Sequence, residues 1–402
     1  MVVNETIIDE ILTRGVIKVI LPSAGEFKKL LLSGKQLRFY IGVDPTGNSL
    51  HLSHAKNFLL LEEFRKLGHK VFVLFGDLTA CIGDPSERSS ARTSLSRDKA
   101  RENAKSWVSQ IRSIINFDDE DNPAEIKFNS TWFDEFTTTK LLELFANSTV
   151  QQLLERDMFQ KRISDNKPIF LNEFLYPMFQ GYDSVALDVD VELCGTDQIF
   201  NALSGRDLIK KYSEKDKYVV AVNLMENPKT GQLMSKSNNT GVFLGTGPTN
   251  LFGQIMAQPD EMIEIILINN TRVPLQYIKD LDISNNPMKA KLFAATEVTK
   301  LFYGEDVATV EYDNFINIFS KKNFSASDVP TLNIGTNSIS LITLIARCLP
   351  NESKSSLKRL ISQGAVSINS SKLCNEDEII EIPMNDDLKI KVGKRNFFKI
   401  RM

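Results

Sequence analysis

Tyr40-Ile41-Gly42-Val43-Asp44-Pro45-Thr46-Gly47-Asn48-Ser49-Leu50-His51-Leu52-Ser53-His54 is the stretch that decides how this chain folds. Phe39 to Val43 is an unbroken apolar run of the kind a buried parallel strand needs. Asp44-Pro45-Thr46-Gly47-Asn48 is turn chemistry. From Ala55 to Leu67 apolar residues recur at helical spacing, and Gly68 then stops the helix. The apolar run Lys70 to Phe75 completes a strand–helix–strand unit. A helix N-terminus presents N–H groups without intrahelical partners and a partial positive charge, so this turn suits an anionic ligand. Two imidazoles, His51 and His54, stand there. They read either as caps in contact with water or as donors to a phosphate. His69, after the helix-ending glycine, reads as structural.

Far along the chain, Met234-Ser235-Lys236-Ser237 is bracketed by Gly231, Gln232 and Asn238-Asn239-Thr240-Gly241, which makes it a Ser/Lys loop. An ammonium from that loop and the two imidazoles could together surround a polyphosphate. That points to nucleotide chemistry without a glycine-rich phosphate loop.

At 402 residues the chain should split into two or three domains. It is 42% hydrophobic and 25% charged, ordinary for a globular protein. No stretch approaches the run of about 20 apolar residues a membrane helix needs, and the acidic start carries no basic-then-apolar leader. Cys81, Cys194, Cys348 and Cys374 are scattered without a CxxC pair. Neither a metal site nor a disulfide framework is expected, and a reducing cytoplasm fits best. The net charge of −3 is uneven: residues 341–402 carry eleven Lys/Arg against seven Asp/Glu. A basic tail on an acidic body fits a polyanionic partner for the tail.

Residues 1–30 read as amphipathic helix, with Ile7, Ile8, Ile11 and Leu12 on one face. The strand pattern resumes at Val189–Leu193 and Tyr218–Asn223, with a helix from about Asp197 to Lys211 between them. The expected architecture is α/β: a doubly wound parallel sheet over 1–247 with a helical insertion at about 97–182. A helical domain over 248–319 and a polar linker over 320–337 follow. Last comes a small α/β module over 338–402, with strand pattern at Val366–Asn369, Ile379–Ile382 and Leu388–Val392. Tyr176, Gln180 and Asp183 lie at i, i+4 and i+7, one stripe of an otherwise apolar helix. Such a stripe faces water, or lines a cavity where each polar group must be paired.

The two short stretches resemble the HIGH and KMSKS signatures of class I aminoacyl-tRNA synthetases. Further segments narrow the resemblance to the bacterial-type tyrosyl-tRNA synthetase family. They are Tyr40 through His54, Gly83-Asp84-Pro85-Ser86, Glu173 through Asp183, and Gly195-Thr196-Asp197-Gln198. The likeness spans residues 35–245 and returns in the tail. It implies that Tyr40 and Asp183 bond a tyrosine phenol while Tyr176, Gln180 and Asp84 hold its ammonium group. It likewise places Asp44 and Gln198 against the substrates and Asp197 on the ribose. Gly42, Ser53, Gly195, Met234, Ser235 and Ser237 would border ATP. His51, His54 and Lys236 would donate to its phosphates, with Arg88, Arg92 and Thr46 in reach of the β- and γ-phosphates. For Arg88 and Arg92 a solvated basic loop, and for Thr196-Asp197 a helix cap, remain the plain readings. A site whose buried carboxylate and hydroxyl await a phenol is left with unmatched polar groups by phenylalanine, a rejection for which this family is the standard illustration.

The resemblance implies L-tyrosine, ATP with Mg2+ and tRNA(Tyr) as substrates, no tightly bound cofactor, and a homodimer joined through the insertion. The tail resembles the αL RNA-binding motif, with Lys354, Lys358, Arg359 and Lys372 on phosphates, against the plain reading of a solvated helix face. The chain departs from the pattern at Ser53 and Cys194, where the family has glycine, and at Leu233, where it has the first lysine of KMSKS. Lys229 or Arg88 would be the substitutes for that lysine. A tryptophanyl relative shares the fold, but Asp183 argues against an indole. A non-catalytic RNA-binding or splicing paralogue would be expected to lose His51, His54 or Lys236, and all three persist.

Overall fold

The computed structural model describes residues 1–85, 95–234, 240–317, 331–349, 353–369, 371–383, 387–393 and 396–402. They form two compact units, Met1–Ala308 and Thr309–Met402. The first is built on a six-stranded sheet of β1 (Ile17–Leu21), β2 (Arg38–Val43), β3 (Lys70–Phe75), β4 (Glu125–Phe128), β5 (Val191–Gly195) and β6 (Tyr218–Val222). Their spatial order is β1-β6-β5-β2-β3-β4. β2 pairs in parallel with both β3 and β5, so the winding reverses between β2 and β5. A crevice opens there beyond the strand C-termini. The strands crossing this point are apolar on both faces, and Phe39, Tyr40, Val73, Phe75, Val191 and Leu193 are buried.

In the first unit three elements differ from the sequence reading. Residues 1–30 are not one helix: helices Glu5–Thr13 and Ala24–Leu32 flank β1, which runs antiparallel beside β6. Gly15, at φ +96°, ends the first helix, and the β-branched run after it pairs with the sheet. Ile7 faces solvent, whereas Ile8 and Ile11 are buried. The insertion carries a strand of its own, β4, which extends the sheet in parallel with β3. Helices over 248–303 pack within the first unit rather than standing as a separate domain. Arg14 donates to the carbonyls of Ile268, Thr271 and Val273, and Asn270 Nδ2 donates to Leu52 O at 2.8 Å.

Among the described residues no helix is long and apolar enough to cross a membrane, and all four cysteines are free. The second unit holds a five-stranded sheet of β9 (Val366–Ile368), β10 (Ser371–Leu373), β12 (Leu388–Val392), β13 (Asn396–Arg401) and β7 (Thr331–Asn333), in the order β10-β9-β12-β13-β7. β8 (Ser338–Ser340) pairs with β11 (Ile379–Glu381). β7 lies inside the stretch read as linker and pairs in parallel with β13. Leu341, Leu344, Leu357, Ile361, Val366 and Ile390 fill the core of this unit.

Candidate active site

The slot lies where β2, β3 and the helix Leu171–Ala186 meet. That helix packs closely on the helix Ile199–Ser213 because both carry glycine at the crossing. A Cβ on Gly181 would meet Leu208 Cδ1 at 2.8 Å and the Gly205 backbone at 3.1 Å. The close approach buries Tyr176, Asp183 and Ser184 and leaves Gln180 half-buried, so the polar stripe does not form a wet surface.

Asp183 sits 4% exposed and accepts from Trp132 Nε1 at 3.0 Å and Asn129 Nδ2 at 3.4 Å. Burial pushes its carboxyl well above the usual range against the pull of those two donors. Asn129 directly follows β4, so the insertion's strand delivers it. Its side-chain oxygen accepts from Leu78 N at 3.0 Å, which turns the amide nitrogen toward Thr79 and Asp183. A line of contacts then leads out of the slot. Asn129 Nδ2 donates to Thr79 Oγ1 at 3.1 Å, Thr79 to Asp44 Oδ1 at 2.6 Å, and Tyr176 OH to Asp44 Oδ2 at 2.9 Å. Gly76 is required beneath this line: a Cβ there would lie 2.1 Å from both Asp44 Oδ1 and Thr79 Oγ1.

Tyr40 is fully buried, and its hydroxyl shares a 2.9 Å hydrogen bond with Ser184 Oγ. Gln180 Nε2 donates to Glu192 Oε1 at 3.0 Å. At the mouth, Gln198 Nε2 donates to Asp84 Oδ2 at 2.5 Å and Asp197 Oδ2 at 3.2 Å. A Cβ at Gly195 would strike Asp197 Oδ1 at 2.3 Å, so glycine lets that carboxylate fold over the end of β5. A Cβ at Gly42 would meet only the Tyr40 ring at 3.7 Å, so described protein atoms leave that face open. Arg156, stacked on Phe200 at 4.6 Å, exerts its charge on Asp84 and Tyr176.

His51 is the N-cap residue of the helix Leu52–Lys66. Its backbone N–H donates to His54 Nδ1 at 3.3 Å, and the two rings lie 3.9 Å apart. Nδ1 of His51 is buried with no hydrogen-bond partner among the described residues. Desolvation lowers both imidazoles, His51 to about 4, so both stay neutral at pH 7. Buried Lys56, itself drawn down to about 7 by desolvation, adds to that effect and donates to Asn57 Oδ1 at 2.7 Å. Neutral imidazoles can each donate one N–H to an anion.

The ends of the Ser/Lys loop are fixed at this cleft. Met234 N donates to Met225 O, just past β6, at 2.7 Å. On the far side Leu52 N donates to Val242 O at 3.0 Å and Leu244 N to Leu50 O at 2.8 Å. Phe243 bridges His51 and packs edge-on against its ring. The chain segments on both sides of the loop are thus held at the end of β6 and at the histidine turn. Arg88, Arg92, Ser235, Lys236 and Ser237 lie outside the described residues. Thr46 is exposed on the β2 turn and Ser53 half-buried in the first helical turn. Lys229, one expected substitute for the missing loop lysine, bonds Glu261 instead. Burial raises the Cys194 thiol well above its usual value, so it stays protonated.

Sequence reading missed Asn129, Trp132, Thr79, Arg156, Ser184, Glu192 and Lys217. A carboxylate within the apolar strand Val191-Glu192-Leu193-Cys194 was the available signal, because a buried charge needs a partner.

A family model described as tRNA synthetases class I (W and Y) matches residues 32–320. The chain belongs to this family. It is 37% identical over 405 residues to the tyrosine–tRNA ligase of Carboxydothermus hydrogenoformans, with 97% of each chain covered. It is 35% identical over 390 residues to the tyrosine–tRNA ligase of Aquifex aeolicus, again with 97% of each covered. Among solved structures, a C-terminally truncated mitochondrial tyrosyl-tRNA synthetase of Coccidioides posadasii superposes with a TM-score of 0.63 at 24% identity. That match covers 77% of this chain and 91% of the other. The tyrosyl-tRNA synthetase of Archaeoglobus fulgidus complexed with L-tyrosine gives 0.59 at 15% identity, covering 77% and 99%. These structural matches carry the fold.

Proposed function

We propose that this chain is a tyrosine–tRNA ligase, and that the slot ending at Asp183 is its tyrosine site. The observation that carries the reading is a buried carboxylate, Asp183, whose charge acts on a buried phenol, Tyr40. An incoming phenol fits that pair, whereas an indole or a phenyl ring leaves it unmatched. Tyr176, Gln180 and Asp84 hold the substrate ammonium, with Asp44 fixing the Tyr176 hydroxyl. ATP lies across the open face of Gly42 and the histidine turn, its ribose on Asp197 and Gln198 between the two substrates. The segment around Ser53, Gly195, Met234, Ser235 and Ser237 borders it.

The tyrosine carboxylate attacks the α-phosphorus of ATP and pyrophosphate leaves. The nucleophile is already an anion, so the protein supplies position and charge stabilisation rather than a base. His51, His54 and Lys236 donate to the phosphates as negative charge moves onto pyrophosphate, with Arg88, Arg92 and Thr46 further out. Mg2+ arrives with ATP. A terminal ribose hydroxyl of tRNA(Tyr) then takes the tyrosyl group from the adenylate.

In the second unit Lys354, Lys358, Arg359 and Lys372 are exposed, which suits contact with tRNA phosphates, although Lys358 also pairs with Glu376 at 2.9 Å. Several apolar side chains of the insertion are exposed: Leu142 at 64%, Leu171 at 75%, and Val150, Ile163 and Phe170. Such exposure supports a homodimer joined there. The reaction belongs in the cytoplasm. The test is ATP-dependent transfer of labelled tyrosine to tRNA(Tyr). Acid-precipitable label is expected, and its absence with tRNA that a control ligase charges would reject the reading.

A further inference from the structure

Behind the slot, three side chains that touch no substrate, Lys217, Glu192 and Ser184, join Tyr40 in a closed buried group. Lys217 Nζ donates to Ser184 Oγ at 2.8 Å and to Glu192 Oε2. Lys217 immediately precedes β6 and has no exposed surface, and Glu192 lies within β5. A buried ion pair contributes little to stability compared with apolar residues of the same volume, so its presence here needs another reason.

We infer that Lys217 is a positioning residue for amino-acid selection, fixing the Gln180 amide at one end of the tyrosine slot and the Tyr40 hydroxyl at the other. The inference rests on the ligase reading above. At one end, Glu192 is neutralised by Lys217 on Oε2 and accepts Gln180 Nε2 on Oε1 at 3.0 Å. That bond fixes the flip of the Gln180 amide, leaving its carbonyl oxygen as the group on offer to the substrate ammonium. At the other end, Ser184 Oγ accepts from Lys217 Nζ at 2.8 Å, shares the 2.9 Å bond with the Tyr40 hydroxyl and donates to Glu192 Oε2 at 3.4 Å. Lys217, through Ser184, thus fixes the place of the Tyr40 hydroxyl that meets an incoming phenol oxygen.

Gly205, which the helix crossing also requires, supplies a second observation. A Cβ at this helical position would lie 2.6 Å from Lys217 Nζ and 2.8 Å from Ser184 Oγ. The glycine keeps open the space in which the ammonium meets the hydroxyl, at a site where alanine would favour the helix.

The experiment compares tyrosine- and phenylalanine-dependent ATP–pyrophosphate exchange in the full chain, its Ser184→Ala variant and its Gly205→Ala variant. Ser184→Ala keeps the Lys217–Glu192 pair. It is expected to lower kcat/KM for tyrosine about tenfold, the size of one net hydrogen bond, and to leave phenylalanine unchanged. The tyrosine preference then falls by the same factor, while KM for ATP stays put. Gly205→Ala is expected to lose the same preference. A loss shared equally by both amino acids, or an unchanged preference in both variants, would overturn the inference. An unmutated chain inert with tyrosine would overturn the ligase reading and this one with it.

Discussion

Replacing Asp183 with asparagine separates what the carboxylate does for binding from what it does to the fold. The amide has nearly the same shape, and its oxygen can keep the 3.0 Å bond from Trp132 Nε1. Its nitrogen then faces the Asn129 amide nitrogen, donor against donor, and no charged acceptor remains for the phenol. A hydrogen bond to a charged group is worth about 1.5–3 kcal/mol, so kcat/KM for tyrosine should fall about ten- to 150-fold. Stability should move with pH. The folded state holds the Asp183 proton more tightly than the unfolded chain does, because its pKa is raised by burial. Ionisation therefore costs the native state stability as pH climbs from the ordinary carboxyl value through the raised one. Asparagine carries no such cost. The variant's melting temperature relative to the parent should rise from pH 4 to pH 8, whatever constant offset the amide introduces. Exchange kinetics and thermal melts across that range read both effects. A parental KM for tyrosine in the variant, or a relative melting temperature that falls with pH, would refute the reasoning.

Other consequences are open to simpler tests. His69 is buried, with Nδ1 accepting from Leu37 N at 3.2 Å, and its pKa is lowered to about 4 by desolvation first and the N-terminal charge second. Its contribution to stability is present above the unfolded value of about 6.5 and is lost as pH falls toward 4. His69→Asn should flatten that acid decline in chemical denaturation, and an equal slope would contradict the assignment. Ser53→Gly should lower KM for ATP in the exchange assay by restoring a flat backbone under the adenine, and an unchanged or higher value would reject this. With Leu233 in place of one loop cation, Lys236→Ala should cost about 3 kcal/mol of transition-state stabilisation, the size of one preorganised donor. Near-normal turnover would refute that role. Removing residues 338–402 should weaken tRNA charging and spare exchange, and equal loss of both would count against a separate RNA module.

Much of this architecture could be read from patterns that have a single period. Phe39–Val43 and Lys70–Phe75 are apolar on almost every position because both faces of β2 and β3 are covered. The histidine helix announced itself by its spacing and by Gly68. β1 and β4 were hidden for opposite reasons. Ile17–Leu21 is five residues long and follows an amphipathic helix whose end is marked only by Gly15. Glu125–Phe128 is a half-buried edge strand of four residues, too short for a strand period to stand out. Missing β4 also meant missing Asn129, the residue that orients on Asp183. The stripe Tyr176, Gln180 and Asp183 was legible, but not what stands behind it. Lys217 follows Glu214-Lys215-Asp216 and looks like the end of a solvated run. Only folding places it against Glu192, 25 residues earlier.

The central claim is that the slot ending at Asp183 selects tyrosine for activation by ATP. Exchange of labelled pyrophosphate into ATP, with each of the twenty amino acids offered singly to the full chain, tests it most directly. Tyrosine alone should support exchange. Exchange with tryptophan or phenylalanine at a comparable rate, or none with any amino acid, would contradict it.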